Sequence, residues 1–231
     1  MRTFLLAALG GLTLAAPAGA ATRNFGITSF TKIRVEGAYR VTLATNVAPF
    51  AKASGSPAAL DRVAVELRGD TLVVQASQAW GGGYPGADPG PVDITIGTHD
   101  LTSATVNGAG SLSIDRVKGL SFAYSIEGSG AGDIGSVAVD QLNVSVIGTA
   151  VATIAGHTGK LVALVRGVSS LDAAALTTPN AAISADGPTT VAVDVTDTAT
   201  INGWGPATIR LTGTPSCTVK VQGSASVSGC R

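Results

Sequence analysis

The sequence predicts an all-β fold: a parallel β-helix or solenoid with about seven C-terminal coils and an irregular β N-terminal part. Three observations predict it. Glycines recur at a nearly fixed spacing from residue 101 onward. Apolar and polar residues alternate around them, and Val, Ile and Thr fill the alternating positions. Seven glycines mark the repeat, Gly108, Gly128, Gly148, Gly167, Gly187, Gly203 and Gly223, with spacings of 20, 20, 19, 20, 16 and 20 residues. Two residues before each stand Val106, Ile126, Val146, Val165, Ala185, Ile201 and Val221, all apolar. The positions one and three before each glycine are mostly polar, as in Thr105, Asn107, Ser125 and Glu127. Alternation with period two makes these strands with one wet face. Such a strand–glycine–strand unit cannot bury its inner face alone, so neighbours must stack into a continuous Val/Ile core. The glycines then occupy the corners, where a positive φ or close backbone approach is required. A β-sandwich would also space its strands regularly, but the shared register of the columns favours the solenoid.

The N-terminal part is β but less regular. Ile33, Val35, Tyr39, Val41 and Leu43 alternate across Gly37, Val63 to Val74 read as a hairpin about Gly69-Asp70, and Val92, Ile94 and Ile96 make one more strand. The Gly/Pro-rich stretch 80–91 reads as an exposed excursion. The expected organisation is therefore 1–20 as an export signal, 21–100 as an N-terminal β segment, and 101–231 as the repeating solenoid, the last two as one continuous unit.

The export signal rests on Arg2, the apolar run Phe4 to Ala16, and the small residues Ala18-Gly19-Ala20, after which cleavage is expected. The alternative, a membrane-anchoring helix, needs a longer apolar run. Without the leader no transmembrane segment is expected, and periplasm, cell surface and medium all fit as destinations. Those compartments preserve disulfides. Cys217 and Cys230 suit a structural bridge, paired directly if the segment folds as a hairpin about Gly223-Ser224; their offset is not the CxxC of a redox pair.

Composition removes several function classes. The 231 residues carry 15 Lys+Arg and 15 Asp+Glu, which lacks the basic footprint of a nucleic-acid binder. A mean hydropathy of +0.37 is too apolar for a disordered chain. Two Cys and two His make a zinc cluster improbable, and no metal or cofactor is expected.

Taken together, Phe30-Thr-Lys-Ile-Arg-Val-Glu-Gly37 with Tyr39-Arg-Val-Thr-Leu43, then Leu60-Asp-Arg-Val-Ala-Val-Glu-Leu-Arg-Gly-Asp-Thr-Leu-Val-Val74, then Val106-Asn-Gly-Ala-Gly-Ser-Leu112 and Ile126-Glu-Gly-Ser-Gly-Ala-Gly-Asp-Ile134 resemble the bacterial family called "putative auto-transporter adhesin, head GIN domain". The resemblance spans most of the chain. It implies an exported β-helical protein of no established enzymatic activity. No run of strands is left over for a membrane barrel, so one is not expected.

The search for chemistry yields a binding or structural protein first and an enzyme second. Trp80 and Tyr84 flank three glycines in the 80–91 loop, where flat rings could stack on sugars or anchor a protein; the alternative is that they cap the open core. Trp204 at a corner is a further candidate binding residue, while Phe122 and Tyr124 read as core or cap. The expected partners are cell-surface or envelope glycans or proteins, met by a polar Thr/Ser/Asn face. Oligomeric state and solenoid handedness are not encoded in the columns. The rival reading, a carbohydrate-active β-helix enzyme, would use Glu127, Asp133, Asp172 and Asp186. Asp133 and Asp172 share a column two coils apart with Thr153 between, roughly 10 Å. That slightly exceeds the inverting-glycosidase range. Arg166 beside Asp186 reads as a surface ion pair. His99 and His157 read as solvated loop residues, Arg68-Gly69-Asp70 as a hairpin turn rather than an integrin ligand, and Asn143-Val-Ser145 as strand. Ice binding through Thr196, Thr198 and Thr200 would need aligned Thr ranks, which the columns do not show.

Overall fold

A computed structural model of the chain describes residues 21–77 and 90–231. The export signal and the rings of Trp80 and Tyr84 lie outside the described residues. The rest is almost all strand. The strands are β1 (Ala21–Phe25), β2 (Lys32–Glu36), β3 (Arg40–Ala44), β4 (Phe50–Gly55), β5 (Val63–Arg68), β6 (Thr71–Ala76), β7 (Asp93–Gly97), β8 (Ser103–Gly108) and β9 (Ser111–Ile114). Five long strands follow, β10 (Val117–Gly128), β11 (Ala131–Gly148), β12 (Val151–Gly167), β13 (Ser170–Asp186) and β14 (Thr190–Trp204), and then β15 (Thr208–Thr212), β16 (Ser216–Gln222) and β17 (Ser226–Ser228). The short helix α1 (Pro57–Leu60) starts where the Ser56 hydroxyl accepts from the Ala59 N–H, with Pro57 supplying a pre-set φ in its first turn.

The chain winds into a parallel β-solenoid of about six turns. Each coil of the regular part has three sides. A first side runs up to a glycine corner, as in Ser121 to Glu127. A second follows it, as in Ala131 to Ile134. A short third side, as in Val117 to Gly119, leads back to the first. Consecutive coils pair in parallel and in register. Stacked side chains of one type fill the interior. On the first side, Val74, Val35, Val106, Ile126, Val146, Val165 and Ala185 form one column. On the second, Ile96, Leu43, Ile114, Ile134 and Ile154 form another.

The start of the stack does not follow chain order. β2 lies between β6 and β8, and β3 lies between β7 and β9. The coil that comes first in sequence is thus inserted between two that come later. Antiparallel strands close this end. β5 pairs with β6 as the expected hairpin, β4 covers β7, and β1 covers β4. At the other end β16 and β17 form a last half-open coil, parallel to β14 and β15. The expected C-terminal hairpin is therefore replaced by a coil, because Ser216 to Gln222 extends the first side and Ser226 to Ser228 the second. The bond itself forms: Cys217 and Cys230 are joined, with Cα atoms 5.7 Å apart, and the Arg231 N–H donates to the Pro215 carbonyl.

One column also needs correction. The corner glycines with positive φ are Gly37, Gly108, Gly128, Gly148, Gly167, Gly187, Gly205 and Gly223. Gly203 is not among them. It points inward between Ala185 and Val221, and Ile209 accordingly stacks on Val191. The coil between Gly187 and Gly205 is shortened, and a shift of two residues leaves every side chain on its original side, so the alternation alone could not expose it.

Candidate functional site

The second side carries a continuous outward polar column. Parallel pairing aligns Thr95, Thr42, Ser113, Asp133, Thr153 and Asp172 in one outward column. At the rung spacing of parallel strands this ladder runs about 24 Å along the solenoid. Beside it the next outward column reads Asp93, Arg40, Ser111, Ala131 and Val151. Ser111 and Ala131 are too short to cover the sheet, so a groove of about 360 Å³ opens between the Arg40–Asp93 end and the Val151–Thr153 end. Arg40 and Asp93 are themselves 3.6 Å apart in an exposed ion pair.

Within the ladder, the Ser113 hydroxyl donates to an Asp133 carboxylate oxygen. Under Asp133 lies the fully buried Tyr124, stacked against Phe122 with centroids 6.3 Å apart. Both rings belong to the core. Burial, and secondarily the Asp133 charge, push the Tyr124 phenol well above its ordinary range. The neighbouring inward position is Gly132, and a Cβ there would overlap the Tyr124 ring. The groove therefore sits over a place where a glycine makes room for a large buried ring.

The four carboxylates considered for catalysis fall on two sides. Asp133 and Asp172 lie in the ladder, separated by Thr153. Glu127 and Asp186 lie on the first side, with Ile147 and Arg166 between them. Arg166 holds Asp186 at 3.3 Å, the expected surface ion pair. Trp204 occupies the same first-side column, between Asp186 and Gln222, and is 40% exposed.

Arg68 pairs with Glu66 at 2.8 Å, and Asp70 pairs with Lys32 at 3.0 Å. The tripeptide at the hairpin tip is thus engaged within its own chain. The hydrogen bond from Lys32 is the main cause that holds the Asp70 carboxyl below its usual range. His157 stands outward in β12, between Ala138 and Thr177, and not in a loop. His99 is exposed, but it helps line a pocket with Asp100, Arg116 and Lys118.

Sequence reasoning missed the Thr95–Thr42–Ser113 part of the ladder. Its members come from β7, β3 and β9, and only the inserted coil brings them together.

Among the described residues no helix is long and apolar enough to cross a membrane. The disulfide fits an exported protein.

Solved structures share the architecture. A "putative adhesin" from Bacteroides fragilis superposes with a TM-score of 0.83 at 17% identity, covering 90% of this chain and 96% of that one. A "putative lipid binding protein" from Parabacteroides distasonis gives 0.71 at 19% identity, with coverages of 91% and 96%. A "putative adhesin" from the same species gives 0.67 at 14% identity, with coverages of 91% and 97%. At these identities the likeness is one of fold. No curated protein matches the sequence. Residues 29–215 match a family model that runs from β2 through the coils to the threshold of the disulfide-closed end. With most of its length so matched, the chain belongs to the family described as "Putative auto-transporter adhesin, head GIN domain".

Proposed function

We propose that this chain is an exported, non-catalytic binding protein of adhesin type that holds a linear glycan of a cell surface or envelope along its second side. The observation that carries the reading is the ladder Thr95–Thr42–Ser113–Asp133–Thr153 beside an open groove. It repeats a polar group every ~4.8 Å, close to the length of one sugar in an extended chain. Many weak hydrogen bonds in series, each contributing about 1 kcal/mol, give a polymer avidity that a single sugar lacks. Rigid strands supply the ladder, so little ordering is needed on binding. On this reading Trp80 and Tyr84 of the 80–91 stretch add aromatic anchors, whereas Trp204 belongs to a different side of the solenoid and takes no part. Membership of an adhesin family supports it.

The test is a pull-down of the purified chain with isolated envelope polysaccharides, comparing wild type with a T42V/S113A/T153V variant. The variant is expected to bind at least about tenfold more weakly, with unchanged circular dichroism. Equal binding by both overturns the ladder as the contact. Protease shaving of intact cells, with a periplasmic marker as control, tests placement. Loss of the chain while the marker survives supports a surface role; full protection sinks adhesion.

A further inference from the structure

The second side ends in a corner that the groove does not use. Thr45 and Asn46 follow β3, His99 and Asp100 follow β7, and Arg116 and Lys118 follow β9. In the stack these three strands are neighbours, in the order β7, β3, β9. Three segments from separate parts of the sequence thus converge at one point. They enclose a hollow of about 120 Å³.

The hollow exists because the third side of the solenoid starts late. Val117 to Gly119 form its first rung and pair with Val137 to Val139 on one flank. On the other flank the chain leaving β3 turns away, with Asn46 at a φ of 60°. The Asn46 N–H donates to the His99 carbonyl at 2.9 Å, which ties the first two loops together. The Thr45 hydroxyl donates to the Arg116 carbonyl at 2.9 Å, and the Thr45 N–H to the Asp115 carboxylate at 2.9 Å, which ties in the third. The walls are therefore fixed before any ligand arrives.

Its chemistry is mixed in a particular way. Asp115 already neutralises Arg116, at 3.3 Å. Among the described residues Lys118, His99 and Asp100 have no ion-pair partner. Leu101 and Val117, both buried, give the hollow an apolar wall. A small inorganic anion would suit Lys118 but oppose Asp100. A neutral sugar would suit Asp100, through its hydroxyl donors, but leave the Lys118 charge without a counter-charge. A sugar bearing a carboxylate satisfies both at once, and its C–H face suits the apolar wall. The hollow is well below the size of a drug-like site, so it takes one ring. A shallower space beside it, bounded by Asp100, Lys118, Leu120 and Thr31, gives an attached chain a way out.

We infer that this corner binds a single acidic sugar, a uronic acid, free or as one residue of a polysaccharide. The site is distinct from the ladder and stands without it.

The experiment uses the folded, disulfide-bonded chain, isotopically labelled, and follows amide shifts during titration. The probes are D-glucuronate, D-glucose and inorganic phosphate. Glucuronate is expected to give saturable shifts at residues 45–46, 99–101 and 116–119. Lys118→Gln is expected to weaken it about tenfold. Asp100→Asn is expected to weaken glucuronate while strengthening phosphate. Both side chains are exposed, so an unchanged spectrum elsewhere shows the variants folded. Thr153→Val, on the ladder, is expected to leave glucuronate binding unchanged, which keeps this site separable from the groove. The inference is overturned if glucuronate gives no saturable shifts at these amides. It is equally overturned if glucose or phosphate binds as tightly, or if Lys118→Gln changes nothing.

Discussion

Gly132 and Tyr124 show how finely the core is matched at single positions. The inward position at residue 132 is empty because the Tyr124 ring already fills it; the Tyr124 Cζ would stand 2.7 Å from any added Cβ. Gly132→Ala is expected to cost about 1–3 kcal/mol by overpacking, lowering the melting temperature by several degrees. Calorimetry checks this, and adding Tyr124→Leu to the same chain should restore part of the loss. The same ring has a pH signature. Its phenol is raised by burial and then by Asp133. The folded state therefore holds a proton that the unfolded state releases near pH 10. The resulting stability is complete below that pH and declines as pH rises further. Tyr124→Phe should flatten the alkaline limb of a stability–pH curve. If wild type and variant decline in parallel, another group governs that limb.

Each rung is pinned at its corner by the glycine column. A Cβ on Gly128 would stand 2.8 Å from the Gly108 carbonyl oxygen, and one on Gly148 would press harder still on Gly128. The residues also hold φ values near +110°, costly for any other side chain. The hairpin glycine Gly69 has positive φ but open space around it. Gly148→Ala is thus expected to destabilise clearly more than Gly69→Ala, which should cost about 1 kcal/mol; urea melts of the two variants compare them directly. At the C-terminal end, Val219 and Val221 continue the core columns yet are 41% and 46% exposed, since no rung covers them. The Cys217–Cys230 bond secures that bare coil. Replacing both cysteines by Ser should cost roughly 2–3 kcal/mol and make the β16 and β17 amides exchange first. Exchange rates unchanged from wild type would contradict this. These elements also mark what the sequence could disclose. Gly108 to Gly187 and the Val/Ile columns were legible, because each residue stacks on its equivalent one coil away. The Gly203–Gly205 displacement was hidden by its even length. The ladder and the acidic-sugar corner were hidden because β7, β3 and β9 are neighbours only through the inserted coil, a pairing with no local sequence signal.

At the scale of the whole molecule, the two ends of the stack are built on different plans. The N-terminal end is closed by antiparallel strands, with β5 over β6 on one side and β1 and β4 over β7 on the other. The C-terminal end is a cut stack stapled by one covalent bond. Between them, β2 and β3 are each bonded on both flanks by strands made later in the chain. The ligand surfaces proposed above draw on β3 of this inserted coil, whose rung is held on both flanks. The inserted coil also decides how the molecule bears load. A protein anchored at one end and attached at the other is under tension. From the C-terminal side, once the disulfide-closed coil yields, rungs can peel singly, each held by one remaining neighbour. From the N-terminal side, β1 comes away alone, but extracting β2 and β3 means shearing two ladders of hydrogen bonds on each strand at once. In an optical trap the chain should lengthen in steps of about one coil from the C-terminal side and yield its N-terminal rungs last, so a grip taken near those rungs outlasts the unravelling of everything behind it.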